Sequence, residues 1–442
     1  MMIDRRYLLL GSIATAFAQP ARAQARGIDA REFGVRANSG DDQTQRLQRA
    51  IDRAAQAGRP LWLAEGSYRS GPLVLRAGTQ LTGMRGKTRI ALLRGPSMFA
   101  ARDSDAVALT GLSLDGNTVA LGRDGGLIDI TGARSLRITE CTIAKANGNA
   151  IALRLCEGEV DGCGIAGAAD NAIFSLDSKM TIRGNTIATS GNGGVRVWRS
   201  RKQDDDSVIE NNTIEDTLAR GGGDGQNGNA INVYRAAHVT VRGNTIRRAA
   251  FSAIRGNAAS HIRMIDNTCH ALGEVAIYSE FEFEDALIDG NLVDVAAVGI
   301  AVTNMDKGGH GALVRNNTIR NLVNKRPQGG PDSFGVGIGV EADTVVTSNS
   351  IDNAPTMGIE VGSGPYLRNV TVTGNVVRKT GIGIGVSVVE GAGAAAITDN
   401  VIADARHGAI VGMHWDKAAT GDLSKGGAER YPNLRVSGNK VS

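Results

Sequence analysis

Cysteine is scarce: Cys141, Cys156, Cys163 and Cys269 are the only four in 442 residues. None stands in a CxxC spacing, which argues against zinc and thioredoxin-like chemistry. Proline numbers 9 and the aromatics make up 4% of the chain, so a core built on Phe and Trp is not expected. Basic and acidic residues nearly balance, 49 against 45, and no basic block occurs. Nucleic acid is therefore a poor partner. Beyond the N-terminus there is no long apolar run, so no membrane span is expected. Gly-rich phosphate loops, a Ser nucleophile elbow and a metal triad are also missing. Glycine, in contrast, is abundant at 59 residues, nearly twice the ordinary share of about 7%. It follows no G-X-Y period, which excludes collagen, and 42% hydrophobic residues exclude general disorder.

The N-terminus reads as an export signal. Arg5 and Arg6 precede Tyr7-Leu8-Leu9-Leu10, a short apolar stretch follows, and Ala21-Arg22-Ala23 offers a small-x-small cleavage site. The Arg pair resembles a twin-arginine signal, which implies the twin-arginine translocase as a partner during export and a periplasmic or secreted mature protein. An ordinary secretory signal is the alternative. Removing residues 1–23 takes away Arg5, Arg6, Arg22 and Asp4, two net positive charges, leaving +2 from +4. A protein folded before export meets reducing conditions first, so buried thiols are expected.

From about residue 100 the chain repeats one pattern. A strand-like tract runs into a turn with Asn, and Ile or Val follows two residues later, as in Thr181-Ile182-Arg183-Gly184-Asn185-Thr186-Ile187. The Asn recurs at 212, 244, 267, 291, 317, 349, 375, 400 and 439, mostly 22–27 residues apart, with steps of 32 before Asn244 and Asn349. Cys141 and Cys163 fall in the same phase. Between these turns lies a second strand in which Ala or Gly precedes the apolar residue: Ala150-Ile151, Ala172-Ile173, Gly194-Val195, Ala230-Ile231, and onward to Ala409-Ile410. Apolar and other residues then alternate with period two, the strand signal. Short strands repeated every twenty-odd residues, with no helical period, predict stacked coils that bury their apolar residues against one another. The expected fold is all-β: a single right-handed parallel β-helix, with Ile and Val inside and a hydrogen-bonded Asn column at one corner. Cys141 and Cys163 lie one coil apart in that column, within reach of a disulfide; two free buried thiols are the other reading.

Residues 24–100 differ and are expected to form an N-terminal cap with the first coils, followed by β-helix repeats over 101–442. Leu47, Ala50, Ile51, Ala54 and Ala55 share one helical face, and Gly58 and Pro60 stop that helix. A short capping helix would cover the open end of the solenoid. Residues 28–68, with Asp29-Ala30-Arg31-Glu32-Phe33-Gly34-Val35, the Asp-Asp-x-Thr helix start at Asp41 and Gly66-Ser67-Tyr68, resemble the cap of the pectate-lyase-like β-helix superfamily, which includes polygalacturonases and phage tailspikes. The usual Pro-Pro of that turn is Ala64-Glu65 here. With the Arg pair and the Asn repeat, the whole chain resembles an uncharacterised bacterial family of twin-arginine-exported repeat proteins of this fold. The resemblance implies the fold; it carries no single reaction, because the superfamily hosts many.

On such a helix the outward positions of one strand column form an extended face. One residue after each aligned apolar position stand Arg196, Asn232, Arg255, Tyr278 and Glu360; three after stand Trp198, Tyr234, Glu280 and Glu341. Arg196, Trp198, Asn232, Tyr234 and Tyr278 are candidate substrate-binding residues, since aromatics beside polar groups suit sugar rings. A solvated sheet face is the alternative. Ile277-Tyr278-Ser279-Glu280-Phe281-Glu282-Phe283-Glu284 alternates and is expected to place Glu280, Glu282 and Glu284 on one side. The candidate catalytic residues are Glu280, Glu282, Arg255, Glu341 and Glu360. Glycoside hydrolysis needs carboxyl groups about 5–5.5 Å (retaining) or 6.5–9.5 Å (inverting) apart. Strand geometry puts Glu280 and Glu282 about 6.6 Å apart, and Glu341 and Glu360 about 8 Å. Asp204, Asp205 and Asp206 form a carboxylate run of the kind that holds Ca²⁺, as in lyases of the superfamily; a hydrophilic loop is the other reading. Gly309-His310-Gly311 matches the His motif of polygalacturonases, but their acidic motifs have no match at the corresponding places, so that mechanism is not transferred.

These features point to an exported protein that binds a polysaccharide or cell-envelope glycan and processes it as a lyase, hydrolase or epimerase. The competing class is a non-catalytic envelope or adhesive scaffold.

Overall fold

The computed structural model describes residues 27–223, 225–304, 308–326 and 334–442. The expected signal peptide, residues 1–23, lies outside the described residues. The chain winds into a parallel β-solenoid of about 13 turns. Short strands such as Leu136–Thr139, Glu157–Asp161, Lys179–Arg183 and Val208–Glu210 pair rung on rung in a sheet of 16 strands among the described residues. The other two faces join into one sheet because Ser350–Val361 and Val376–Ser387 run through the corner between them. The pairings are parallel except near the C-terminal end, where Ile410–His414 pairs antiparallel with Lys417–Asp422.

One face positions the candidate site. Its strands are β1 (Asn149–Arg154), β2 (Asn171–Leu176), β3 (Gly193–Asp204), β4 (Asn229–Ala237), β5 (Ile254–Asn257), β6 (Val275–Glu280), β7 (Val298–Thr303) and β8 (Val336–Val340). Their register stacks Ile151, Ile173, Val195, Ile231, Ile254, Ile277, Ile300 and Ile338 in one inward column, each fully buried. Burying such a side chain stabilises by roughly 1.5–3 kcal/mol, and each rung contributes one at this position alone. The small residue before each has a steric cause. A Cβ at Gly337 would stand 2.4 Å from the carbonyl oxygen of Gly358 on the next rung.

The Asn column forms as expected. The Asn244 amide and backbone N–H both donate to Asn267 Oδ1 at 3.0 Å. Asn267 Nδ2 in turn donates to Val241 O and to Asn291 Oδ1, each at 3.0 Å. The same contacts recur from Asn185 to Asn439. Every buried amide in the run has its donors and acceptor occupied, which is the condition for burying one without loss. Cys163 N–H donates to Asn185 Oδ1 at 2.9 Å and starts the ladder. All four cysteines are free thiols, each buried.

The N-terminal helix α1 (Thr44–Gln56) buries Leu47, Ala50, Ile51 and Ala54 over the first coil, while Ala55 is half-exposed. Asp42 accepts from the Thr44 N–H at 2.9 Å, and the Thr44 contacts, with Arg94 beside it, hold its carboxyl down at about 2. One expectation fails. Strand β6 ends at Glu280, because Phe281 and Glu282 take left-handed φ of 49° and 47° and turn the corner. Glu280 is thereby buried, whereas Glu282 and Glu284 are exposed, and the three do not share a face.

Two substitutions test the stacking. Asn267→Ala strands the Asn244 donors and Val241 O and is expected to cost about 1–3 kcal/mol, and Ile231→Ala about 2–5 kcal/mol, both read by urea unfolding. Changes of only a few tenths at either site would contradict this account of the solenoid.

Candidate functional site

The outward columns read from the sequence are the columns of the structure. Ala152, Phe174, Arg196, Asn232, Arg255, Tyr278, Ala301 and Gly339 are rung partners in turn, as are Arg154, Leu176, Trp198, Tyr234, Asn257, Glu280 and Thr303. Arg196, Trp198, Asn232, Tyr234 and Tyr278 therefore do lie on one face. Along it the structure shows a cleft, a closed middle and a second, smaller pocket.

The cleft, about 800 Å³, lies over β1 to β3. Insertion residues Gly221, Gln226 and Asn227 wall it on one side. Arg196, 6% exposed, donates from one guanidinium nitrogen to Asn227 Oδ1 at 2.6 Å and Gln226 O at 2.8 Å. Its guanidinium lies 5.2 Å from the Trp198 ring centroid. Trp198 meets Phe174 edge-on at 5.8 Å and Tyr234 at 5.6 Å. Arg154 pairs with Asp129 at 3.3 Å.

In the middle, the polar groups are spent on each other. Trp198 Nε1 donates to Asn232 Oδ1 at 2.7 Å, and Asn232 is buried. Arg255 grips both carboxylate oxygens of Glu280 at 2.6 and 2.9 Å, Asn257 adds a bond of 2.7 Å, and Glu280 is 1% exposed. Arg255 also lies 5.1 Å from the Tyr278 ring. The pair thus braces the face from below.

The second pocket, about 320 Å³, lies over β6 to β8 and the strand that follows. Tyr278, Glu341 and Glu360 line it together. Glu341 Oε2 accepts the Asn304 N–H at 2.9 Å. The Glu360 carboxyl is pushed up, first by burial and then by the Glu341 charge. Burial holds the Tyr278 phenol up at about 12. Glu274 and Arg326, an ion pair bridging 52 residues, close one side, with the Arg326 guanidinium 4.7 Å from the Phe334 ring.

The remaining candidates are dispersed. Glu282 is exposed and gives only its backbone carbonyl to Lys202. Asp204 faces His238 at 3.4 Å, Asp205 is buried against Arg199 at 2.6 Å, and Asp206 pairs with Lys179 at 3.2 Å. The three carboxylates diverge, because the strand ends at Asp204 and the chain turns at Asp206, whose φ is 59°. Sequence reasoning passed over Asp129, Asn171, Asn227, Glu274 and Arg326. Asp129 stands at the column position one rung before the aligned copies, and Asn171 belongs to a visible Asn-Ala-Ile recurrence at 149, 171 and 229. The Glu274–Arg326 pair has no periodic signal.

This chain is a right-handed parallel β-helix protein. The family described as "Right handed beta helix region" matches residues 126–225, and that described as "Periplasmic copper-binding protein (NosD)" matches residues 222–422. No curated protein matches the sequence. Among solved structures, the catalytic unit of the GH87 α-1,3-glucanase of Streptomyces thermodiastaticus is 17% identical, over 95% of this chain and 69% of that one, with a TM-score of 0.42. The A-module of the mannuronan C-5 epimerase AlgE6 of Azotobacter vinelandii is 15% identical over 94% and 99%, TM-score 0.46. The surface adhesin PfbA of Streptococcus pneumoniae is 16% identical over 88% and 92%, TM-score 0.40.

Copper does not fit the residues present. Among the described residues no three His, Cys, Asp or Glu groups converge on one point. His238 and His261 stack in parallel, 4.6 Å between centroids and 13° between planes, each beside its own Asp, so their nitrogens do not meet at an ion. No chemistry on this face is assigned to copper or calcium.

Because Glu280 is buried on Arg255, Arg255→Ala is expected to destabilise the fold by about 3–5 kcal/mol through the uncompensated charge left behind. Thermal or urea unfolding reads this, and a variant as stable as the parent would show that the pair does not brace the face.

Proposed function

We propose that the protein is an exported β-helix protein that binds a polysaccharide along this outward face and processes it by acid–base chemistry at Glu341 and Glu360. The export signal at residues 1–23 and a periplasmic or secreted location belong to this reading, which the "periplasmic" in one matching family's description supports. A polysaccharide agrees with the aromatic and hydrogen-bonding character of the face.

The observation that carries the chemistry is the Glu341–Glu360 pair. Two carboxyls in one pocket, the proton affinity of one of them raised, can supply an acid and a base. Glu360, raised by enclosure and by its neighbour, keeps its proton and gives it to the glycosidic oxygen as the C–O bond breaks. Glu341, held by the Asn304 N–H, takes a proton from the water that adds to the anomeric carbon. One bond to oxygen breaks, one forms, and solvent returns the two carboxyls to their starting states. Strand geometry puts their backbone positions about 8 Å apart, and an inverting arrangement needs the carboxyls themselves about 6.5–9.5 Å apart. The protonated Tyr278 phenol and the Arg326 side of the pocket offer hydrogen bonds to the sugar.

A scaffold that binds without turnover is the second reading, favoured by the saturated Arg255–Glu280 middle.

The test is product formation. Purified mature protein is incubated with polyuronides and α- and β-glucans while new reducing ends and unsaturated products are followed. Glu360→Gln and Glu341→Gln are each expected to lower the rate by about 10²–10⁴-fold without lowering the melting temperature. Activity is expected to fall as pH rises through the raised Glu360 value, because the acid form is then lost. Full activity in Glu360→Gln would overturn the assignment, and binding without product from any glycan would establish the scaffold instead.

A further inference from the structure

The cleft over Asn171, Arg196 and Trp198 shares the outward face with the Glu341–Glu360 pocket but stands apart from it. Arg196 is followed on successive rungs by Asn232, Arg255, Tyr278, Ala301 and Gly339. Glu341 lies in the rung of Gly339, so five rungs separate the two places. At about 4.8 Å per rung that is roughly 24 Å. The two rungs braced by Arg255 and Glu280 lie between them.

The floor of the cleft holds two polar atoms with nothing to bond. Arg196 bonds the insertion through one terminal nitrogen, while its buried Nε–H has no partner. Asn171, 2% exposed, gives its amide N–H to Asn149 Oδ1 at 2.7 Å, while its own Oδ1 has no partner. Both line the cleft. They stand about the same bare spot: a Cβ at Gly193 would lie 2.5 Å from Asn171 Oδ1 and 3.1 Å from Arg196 Nε. Any larger residue would crowd both atoms.

A buried donor and a buried acceptor left idle are costly, and native structures keep few of them. Of the simple ligand groups, a hydroxyl answers both, since its oxygen accepts from N–H while its proton goes to a carbonyl. The neighbouring groups suit the rest of a sugar. Trp198 and Phe174 present apolar ring surface at the cleft. The Arg154 charge is already answered by Asp129, and Asp124 and Asp170 line the cleft alongside Arg102 and Arg123, so its charges are mixed and a neutral sugar suits it as well as an acidic one.

We propose that this cleft is a distal subsite that takes a pyranose through one hydroxyl shared by Arg196 Nε and Asn171 Oδ1, and that the substrate is a polymer long enough to reach from there to Glu341 and Glu360. One pyranose with its linking oxygen is about as long as a rung is high, so the span is on the order of five units. The inference rests on the reading of this face as a glycan track. Small shifts of the two side chains open them to the hydroxyl; the arginine stem is otherwise held by the insertion.

The experiment compares short and long probes on the full mature chain. Dimers and decamers of an α-glucan and of a polyuronide are titrated by calorimetry, with reducing ends assayed in parallel. The wild-type chain is expected to bind a decamer far more tightly than a dimer. Arg196→Ala and Asn171→Ala are each expected to weaken decamer binding about tenfold, the equivalent of one strong polar contact, and to raise KM for the decamer with little change in kcat. Gly193→Ala, which fills the bare spot, is expected to act in the same way. Melting temperatures accompany each variant, and if Arg196→Ala does not fold, Asn171→Ala carries the test. Unchanged decamer affinity in folded Asn171→Ala, or no binding of either decamer by the wild-type chain, overturns the proposal. The two readings separate cleanly. Loss of turnover in Glu360→Gln with decamer binding indifferent to Arg196 and Asn171 removes the distal subsite alone. Decamer binding that needs Arg196 and Asn171, with turnover indifferent to Glu360, removes the acid–base pair alone.

Discussion

Rungs of equal height, locked in register, are the constraint on which the rest of this molecule depends. Each backbone strand bonds the rung before and the rung after, so one coil's sequence position is fixed relative to the next to within a single residue. The buried Asn ladder enforces that register at one corner. Each amide takes a backbone N–H and a side-chain N–H from one coil and gives both of its own hydrogens away, one to a backbone carbonyl and one to the next Asn. A coil that slipped by one residue would bury an amide with no partners and turn Ile or Val outward. Insertions are therefore expelled to the corners, as where Gly221, Gln226 and Asn227 wall the face without disturbing the stack.

Register is also what makes a site possible on so regular a scaffold. Residues two dozen or more apart in sequence become vertical neighbours, and a side chain's height is set by its rung while its place along the strand is set by its offset from the inward Ile. Trp198, Tyr234, Asn257 and Glu280 stand in one line for this reason alone. The scaffold is stiff, so the side chains are held in place before any ligand arrives, and less ordering is needed on binding.

Much of this could be read from the chain, and the reason is periodicity. The Asn turns, the Ala-Ile or Gly-Ile strand and the alternation around them give the fold, and counting one or three residues on from each Ile gives both outward columns as they stand. The failures come where residue type mimics a period that the backbone does not follow. Phe281-Glu282-Phe283-Glu284 alternates like a strand, yet the rung is complete at Glu280, and the corner forces Phe281 and Glu282 into left-handed conformations. Asp204, Asp205 and Asp206 read as one cluster, although the strand ends at Asp204 and the left-handed Asp206 turns the chain. The Glu274–Arg326 contact was illegible in a different way. It joins a rung to a long insertion, and nothing in the repeat links those positions.

Charge satisfaction then separates what supports the face from what is left to act. Arg255 and Glu280 answer each other completely, and Trp198 and Asn232 do so for one bond, so the middle of the face spends its polar groups on rigidity. A pair that saturated has little left for a substrate, although both residues are among the five that the sequence offers as catalytic candidates. At the ends the balance differs. Glu360 is enclosed beside another carboxylate, with no cation to answer it foremost among the causes of its shift, and Arg196 Nε and Asn171 Oδ1 face each other's neighbourhood unpaired. Unpaired buried groups cost stability, and a solenoid with so many satisfied amides tolerates a few. Arg196 Nε and Asn171 Oδ1 stand at the first concave place on the face and Glu360 at the second, on either side of its braced middle rungs. On the proposed reading the face is a stiff track whose contacts lie at its ends, where a long ligand, and not a short one, would reach both.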